Sequence, residues 1–365
     1  MRIRLITYST RPRGGVVHAL SLAEALVARG HEAELWALSA GGAGFFREPR
    51  APVRLVPVDR REGEPVDDRI LRYAATLAEG LRAAGPADVH HAEDCLSARS
   101  LLALRAEGAV PAVVRTIHHV DDFRSPVLAE CQRASIADVD HRICVSRHWA
   151  EAVARDFGVR AEVIPNGVDA ARFAEAPARE EARARLGWDE RPVVLAVGGI
   201  EPRKGSRALL AAAARLRAET PGLLLAIAGG ETLFDYADYR AAWEDDATRL
   251  GVRVHRGPRP PAAADVAVLG TVADDDMPLL YRAADALAFP SEREGFGLVV
   301  LEALAAGLPA VVSDLPVLRE HLVPGRDCLM VPVGDDAALA GALRRALGDP
   351  ALRARLAAAG RRTAE

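Results

Sequence analysis

The sequence predicts an α/β fold of two domains, each an open, mostly parallel sheet covered by helices. Three observations carry that prediction. Short apolar runs of strand length alternate with amphipathic, alanine-rich stretches of helix length. The alternation restarts midway: strand, glycine pair and helix over residues 4–29 are echoed over residues 192–220. The chain has 365 residues, 50% of them apolar, which is long for one domain and enough for two cores.

Residues 4–8 form the first strand, 9–15 a loop holding Pro12, Gly14 and Gly15, and 16–29 a helix stopped by Gly30. Val17, Leu20, Ala23, Leu26 and Val27 line one face of that helix. The loop lacks the G-x-G-x-x-G fingerprint, which argues against a dinucleotide-dependent dehydrogenase. Strands follow at 33–38 and 53–58, a helix at 68–84 and a strand at 89–92. The last of these ends in His90, His91, Glu93 and Asp94, at the carboxyl end where open α/β sheets place function. A strand at 112–117 leads into His118, His119, Asp121 and Asp122. A histidine there can pass a proton or hold a hydroxyl. The two aspartates orient it, touch a substrate, or cap a helix running on from Phe123. Residues 142–145 are a strand with Ser146 capping the next helix, and 162–164 precede the turn Pro165-Asn166-Gly167. Residues 174–191, rich in Ala, Arg and Glu, read as one exposed helix. The domain boundary is placed here, giving 1–175 and 176–365.

The second half opens with a buried strand at 192–197, a loop with Gly198, Gly199, Arg203, Lys204 and Gly205, and a helix at 206–220. A strand at 223–228 ends in Gly229, Gly230 and Glu231; residues 237–250 are a helix burying Trp243; residues 256–264 are a proline-rich excursion. A strand at 266–269 leads to Gly270, Thr271 and Val272, and a helix spans 276–284. Asp274, Asp275 and Asp276 read as capping and solvated charge rather than a metal signature. Residues 286–289 are a buried strand ended by Pro290, and a helix starts near Gly297 with Leu298, Leu301 and Leu304 on one face. Glu294 therefore lies in the turn before a helix N-terminus, and Glu302 lies inside the helix. Backbone N–H groups at such an N-terminus favour phosphate. A carboxylate beside them accepts two hydroxyls at once. Phosphate together with hydroxyls describes a nucleotide sugar. Strands at 309–312 and 327–331 and helices at 337–346 and 351–360 close the chain.

Net charge is only −4 and no basic block stands out, which argues against nucleic acid as a partner. Cys95, Cys131, Cys144 and Cys328 form no C-x-x-C pair and no metal-spaced cluster, as expected of a reducing cytoplasm. No apolar run reaches membrane-span length, and the N-terminus turns polar at Ser9, too soon for a leader. A cytoplasmic protein is expected, with contact at a membrane surface left open. Oligomeric state leaves no sequence signal.

The string Glu294-Gly295-Phe296-Gly297 leading to Glu302, with Gly307 and Pro309 behind it, resembles the two-glutamate motif of the retaining GT-B glycosyltransferases of family 4. Residues 165–169 resemble the segment that ends that family's first domain. The resemblance covers nearly the whole chain and is strongest over 198–331. It implies two Rossmann-like domains whose parallel sheets face each other across a cleft. It also implies transfer of a hexosyl or related unit from a nucleotide-diphosphate sugar to an acceptor, with retention and without a metal. The nucleotide sugar is then a co-substrate and no resident cofactor is expected.

Residue by residue, the resemblance gives Lys204 the lysine position of a diphosphate clamp. The family's arginine five residues earlier is Gly199 here; Arg203, directly before Lys204, is a candidate replacement, and whether it takes that role is left open. Glu302 would hold the ribose, Glu294 the donor sugar, and Gly295, Phe296 and Gly297 the phosphate side. Val272 would wall the base, and Gly15 would let the backbone approach donor phosphate or acceptor. His118 matches the family's active-site histidine, with His119 second; His91, Asp94 and Asp121 are acceptor-side candidates. The catalytic set is thus His118, Glu294 and Lys204. Two alternatives stay open: a phosphorylase or epimerase of the same fold, and a non-catalytic nucleotide-sugar-binding protein, for which Gly199 is the hint.

Overall fold

A computed structural model describes residues 1–123, 125–230 and 236–365; Glu231, expected at a strand end, lies outside them. The chain divides into two compact units, Met1–Gly167 and Val168–Glu365. The division falls earlier than the boundary drawn after residue 175. Arg172 pairs with Asp274 at 2.7 Å, and Phe173 packs edge-on against Tyr281, so this segment belongs to the second unit.

Among the described residues the first unit holds seven parallel strands: β1 (Arg2–Thr7), β2 (Glu32–Ala40), β3 (Val53–Val58), β4 (Val89–Ala92), β5 (Val113–Ile117), β6 (His141–Cys144) and β7 (Glu162–Val163). Their order is β3-β2-β1-β4-β5-β6-β7, so the winding reverses between β1 and β4, whose register pairs Ile3 with Val89. The described residues of the second unit also hold seven parallel strands: β8 (Val193–Val197), β9 (Leu224–Ala228), β10 (Val254–Arg256), β11 (Val266–Gly270), β12 (Ala286–Phe289), β13 (Ala310–Ser313) and β14 (Leu329–Val331). They run β10-β11-β9-β8-β12-β13-β14, reversing between β8 and β12. Ligands of such sheets bind outside the carboxyl ends of the strands at the reversal.

Helices cover both faces, so central strands such as Val193–Val197 (VVLAV) and Ala286–Phe289 (ALAF) read as unbroken apolar runs. In the first unit, neighbouring residues of β1 serve opposite faces. Leu5 joins the core under the helix Gly14–Ala28, while Ile6 joins the core under the helices Val66–Ala83 and Cys95–Ala106. In the second unit Trp243 is fully buried, as expected, and its indole N–H donates to the Ser206 carbonyl.

Several expectations need correction. Gly14 and Gly15 open the first helix instead of forming a loop before it. The single exposed helix read over 174–191 is two short helices, Ala170–Ala174 and Arg179–Leu186. Nor is it wholly exposed: Arg183 is fully buried, bonding the Ala283 carbonyl and the Asp285 carboxylate, which removes the cost of a buried unpaired cation. The excursion read from 256 begins after a strand, β10, that the sequence reading lacked. It also lacked the helix Cys95–Ala106; the helix offered as running on from Phe123 is Pro126–Ala137.

Candidate functional site

The second unit places its charged residues at the reversal of the sheet. Lys204 comes from the loop after β8 and Glu294 from the loop after β12, and these strands are neighbours. The loops are tied by the Glu292 amide, which donates to the Arg203 carbonyl at 2.8 Å. Gly205 makes the approach possible: at φ +63° a side chain there is strained, and its Cβ would lie 2.2 Å from the Pro290 oxygen.

Lys204 Nζ donates to Glu294 Oε1 at 2.6 Å, and Arg203 Nη1 reaches the same oxygen at 3.2 Å. Lys204 also lies 5.0 Å from the centre of the Phe289 ring. Burial pushes the Glu294 carboxyl up, but Lys204 and then Arg203 outweigh it and bring it down to about 2. Burial pushes Lys204 below the usual ammonium range, with Glu294 opposing. Glu294 is thus ionised at any physiological pH and held close to two cations. Lys204, Arg203 and Glu294 come together as one group.

Gly199 shows why no arginine stands there. A Cβ at that position would lie 2.6 Å from the Gly230 carbonyl oxygen, so the backbone leaves no room for a side chain. Arg203 brings its guanidinium to the same carboxylate oxygen as Lys204.

Gly297, at φ +98°, starts the helix Leu298–Ala305, and Glu302 lies on that helix. Glu302 Oε2 accepts from the Tyr281 hydroxyl at 2.6 Å. Burial pushes the Glu302 carboxyl up, while Tyr281 and Arg172 oppose. Tyr281 was not marked in the sequence: it sits on another helix, Met277–Ala283, and no local spacing links it to Glu302. Phe296 stacks on His321 at 4.8 Å, and Val272 is half-buried in the loop after β11.

In the first unit the carboxyl ends of β1, β4 and β5 bring together residues that the sequence scattered. His118 Nε2 lies 3.1 Å from Glu93 Oε2, with His18 Nε2 at 3.8 Å from that oxygen and His91 Nε2 at 3.6 Å from Oε1. His18 and His118 meet edge to face at 5.1 Å. A Cβ on Gly15 would sit 3.3 Å from the His118 ring, so Gly15 gives the imidazole its place. His91 is buried, 2.6 Å from Thr116 Oγ1. Burial pushes His118 down to about 3, with Arg115 and His119 adding to it; burial also lowers His18 and His91. Among the described residues no His, Cys, Asp or Glu cluster is arranged to hold a metal ion.

His18 and Glu93 were not marked as site residues. Glu93 carried a signal, a carboxyl at a strand end; His18 carried none, a single histidine on an amphipathic helix. Asp94 does not join the group. It caps the helix Cys95–Ala106, accepting from the Ser97 and Tyr8 amides, and its carboxyl is spent there. Asp121 pairs with His119 at 3.0 Å, and the cap of the next helix is Ser125.

Two open parallel sheets, each reversing near its centre, are an architecture that the GT-B glycosyltransferases have. Two family models match the chain: Glycosyltransferase Family 4 over residues 12–172 and Glycosyl transferases group 1 over residues 191–349. A D-inositol 3-phosphate glycosyltransferase of Salinispora arenicola is 33% identical over 310 residues, 79% of this chain and 67% of that one. A glycogen synthase of Mycobacterium tuberculosis is 35% identical over 286 residues, 75% of this chain and 63% of that one. Among solved structures, Anabaena HepE in complex with UDP and glucose has the same fold, with TM-score 0.76, 21% identity, and coverage of 100% of this chain and 94% of that one. The chain belongs to the family 4 glycosyltransferases, the glycosyl transferases group 1. Among the described residues no helix is long and apolar enough to cross a membrane.

Proposed function

We propose that this glycosyltransferase moves a hexosyl or related unit from a nucleoside-diphosphate sugar to a hydroxyl acceptor, with retention at the anomeric carbon. The observation that carries the proposal is the convergence of Lys204 and Arg203 on Glu294 at the reversal of the second sheet. The leaving group is a diphosphate whose charge grows as the glycosidic bond breaks. Two cations fixed in a buried setting act most strongly at that moment. Glu294, ionised and bound by those cations, accepts hydroxyls of the donor sugar. Glu302, steadied by Tyr281, accepts the ribose hydroxyls. Amides at the start of the helix Leu298–Ala305 face the phosphates, Val272 stands beside the base, and His118 takes a substrate hydroxyl.

Arg203 and Lys204 supply the positive charge that a metal supplies elsewhere, so the reaction as proposed needs no metal and no resident cofactor. No residue is assigned as a nucleophile, and no covalent glycosyl-enzyme is part of the proposal. Four free cysteines support a cytoplasmic protein. Incubating the protein with a panel of UDP-, GDP-, ADP- and TDP-sugars, with and without polyol and sugar-phosphate acceptors, tests the reading. Acceptor-dependent release of nucleoside diphosphate, and a product with the donor's anomeric configuration, is expected. Release only with inorganic phosphate would favour a phosphorylase, and binding without release a non-catalytic protein.

A further inference from the structure

Glu93 is a buried carboxyl with three imidazoles around it, and the proposed reaction gives it no role. It stands at the end of β4, beside β5, which delivers His118. Oε2 is 3.1 Å from His118 Nε2, while Oε1 has no hydrogen-bond partner among the described residues. Other groups bear on the same ring: His18 from the helix Gly14–Ala28, His91 from β4, Arg115 from β5, and His119 next in the chain. Burial dominates, so the ring is neutral at neutral pH and carries its proton on one nitrogen only. Which nitrogen that is decides what the ring can do.

We propose that Glu93 is a positioning residue: its carboxylate accepts a hydrogen bond from the Nε2–H of His118 and so fixes the imidazole with Nδ1 unprotonated. The Cδ2–Nε2 edge of the ring is committed: Nε2 faces Glu93, and this edge lies where a Cβ on residue 15 would come within 3.3 Å. Nδ1 is then the one ring nitrogen left for substrate, and it carries a lone pair. His118 meets the substrate as a hydrogen-bond acceptor, which requires a hydroxyl that donates to it. A neutral ring in this tautomer has no proton on Nδ1 to give to a departing oxygen. Buried carboxylates orient partner imidazoles in the same way elsewhere, by fixing the tautomer through the second nitrogen. The inference rests on the proposed role of His118, but its test reads the ring directly.

The experiment is long-range ¹H–¹⁵N correlation spectroscopy on protein with ¹⁵N-histidine, with the His118 signals assigned from a His118→Asn sample. At neutral pH, His118 is expected as the Nε2–H tautomer; in Glu93→Gln it is expected to become a mixture of tautomers. Circular dichroism and nucleoside-diphosphate binding check that the variant is folded. With an active donor, Glu93→Gln should lower kcat by about tenfold to a hundredfold, with KM for the donor little changed. A wild-type His118 in the Nδ1–H form or doubly protonated would overturn the proposal, whatever the activity. So would an Nε2–H tautomer that persists unchanged in Glu93→Gln. Failure of every donor in turnover, with the expected tautomer, would count against the proposed reaction and not against the assignment of Glu93.

Discussion

The two units use one fold in opposite electrostatic regimes. At the reversal of the second sheet a carboxylate is held down to about 2 by two cations, and the group stays charged. At the reversal of the first sheet, three imidazoles crowd a buried carboxyl, and burial keeps His118 neutral down to about 3. The first regime suits a ligand whose charge changes during reaction. The second suits recognition of neutral hydroxyls, where an unmet hydrogen bond is costly. The identical strand logic positions both; the residues at the strand ends choose the chemistry.

Breaking the charged side should have the largest effect. Lys204→Ala is expected to lower kcat/KM by about 10²–10³-fold, as for other single donors to a developing anion. Steady-state release of nucleoside diphosphate measures it, and a loss under threefold would contradict the role. Tyr281→Phe removes only the hydroxyl that steadies Glu302. It should raise the donor KM by about tenfold while leaving kcat nearly unchanged, because that contact is made in ground and transition states alike.

Acid should separate the units. His18, His90, His91 and His118 are all held below the ordinary value of 6.5. Unfolded chain binds protons that the folded first unit refuses, so that unit loses stability as pH falls from about 6.5 towards 3. Asp94, raised by burial, offsets part of this. Glu294 works in another window: its contribution is complete above about 4.5 and is lost only as pH falls towards 2. Hydrogen exchange followed by mass spectrometry from pH 7 to 4 should show first-unit amides losing protection before second-unit amides; the reverse order would break the contrast. The smallest effect is expected from Gly199→Arg. Its Cβ meets the Gly230 oxygen, so it should lower Tm by about 5 °C and leave diphosphate affinity no better.

The parts of this comparison legible in the sequence were those with local signatures. β3 and β4 were read to the residue, because apolar runs bounded by polar turns are short-range signals. Lys204, Glu294 and Glu302 were legible because each sits inside a continuous string. The helix Cys95–Ala106 was missed because its inward face carries Ser97 and Ser100, whose hydroxyls bond Asp94 and the Ala74 carbonyl. The neutral group in the first unit was hardest to see, since His18, His91, Glu93 and His118 come from two strand ends and a helix that only the sheet order brings together. Arg183 misled for a similar reason: its partner Asp285 is remote in the chain.

The most direct test of the charged half is a calorimetric titration with UDP, GDP, ADP and TDP. It would use the wild type beside Lys204→Ala and His118→Asn. The account predicts that one diphosphate binds selectively, that Lys204→Ala weakens it at least tenfold, and that His118→Asn leaves it almost unchanged. A folded protein that binds none of them, or binds one equally well without Lys204, would contradict the account.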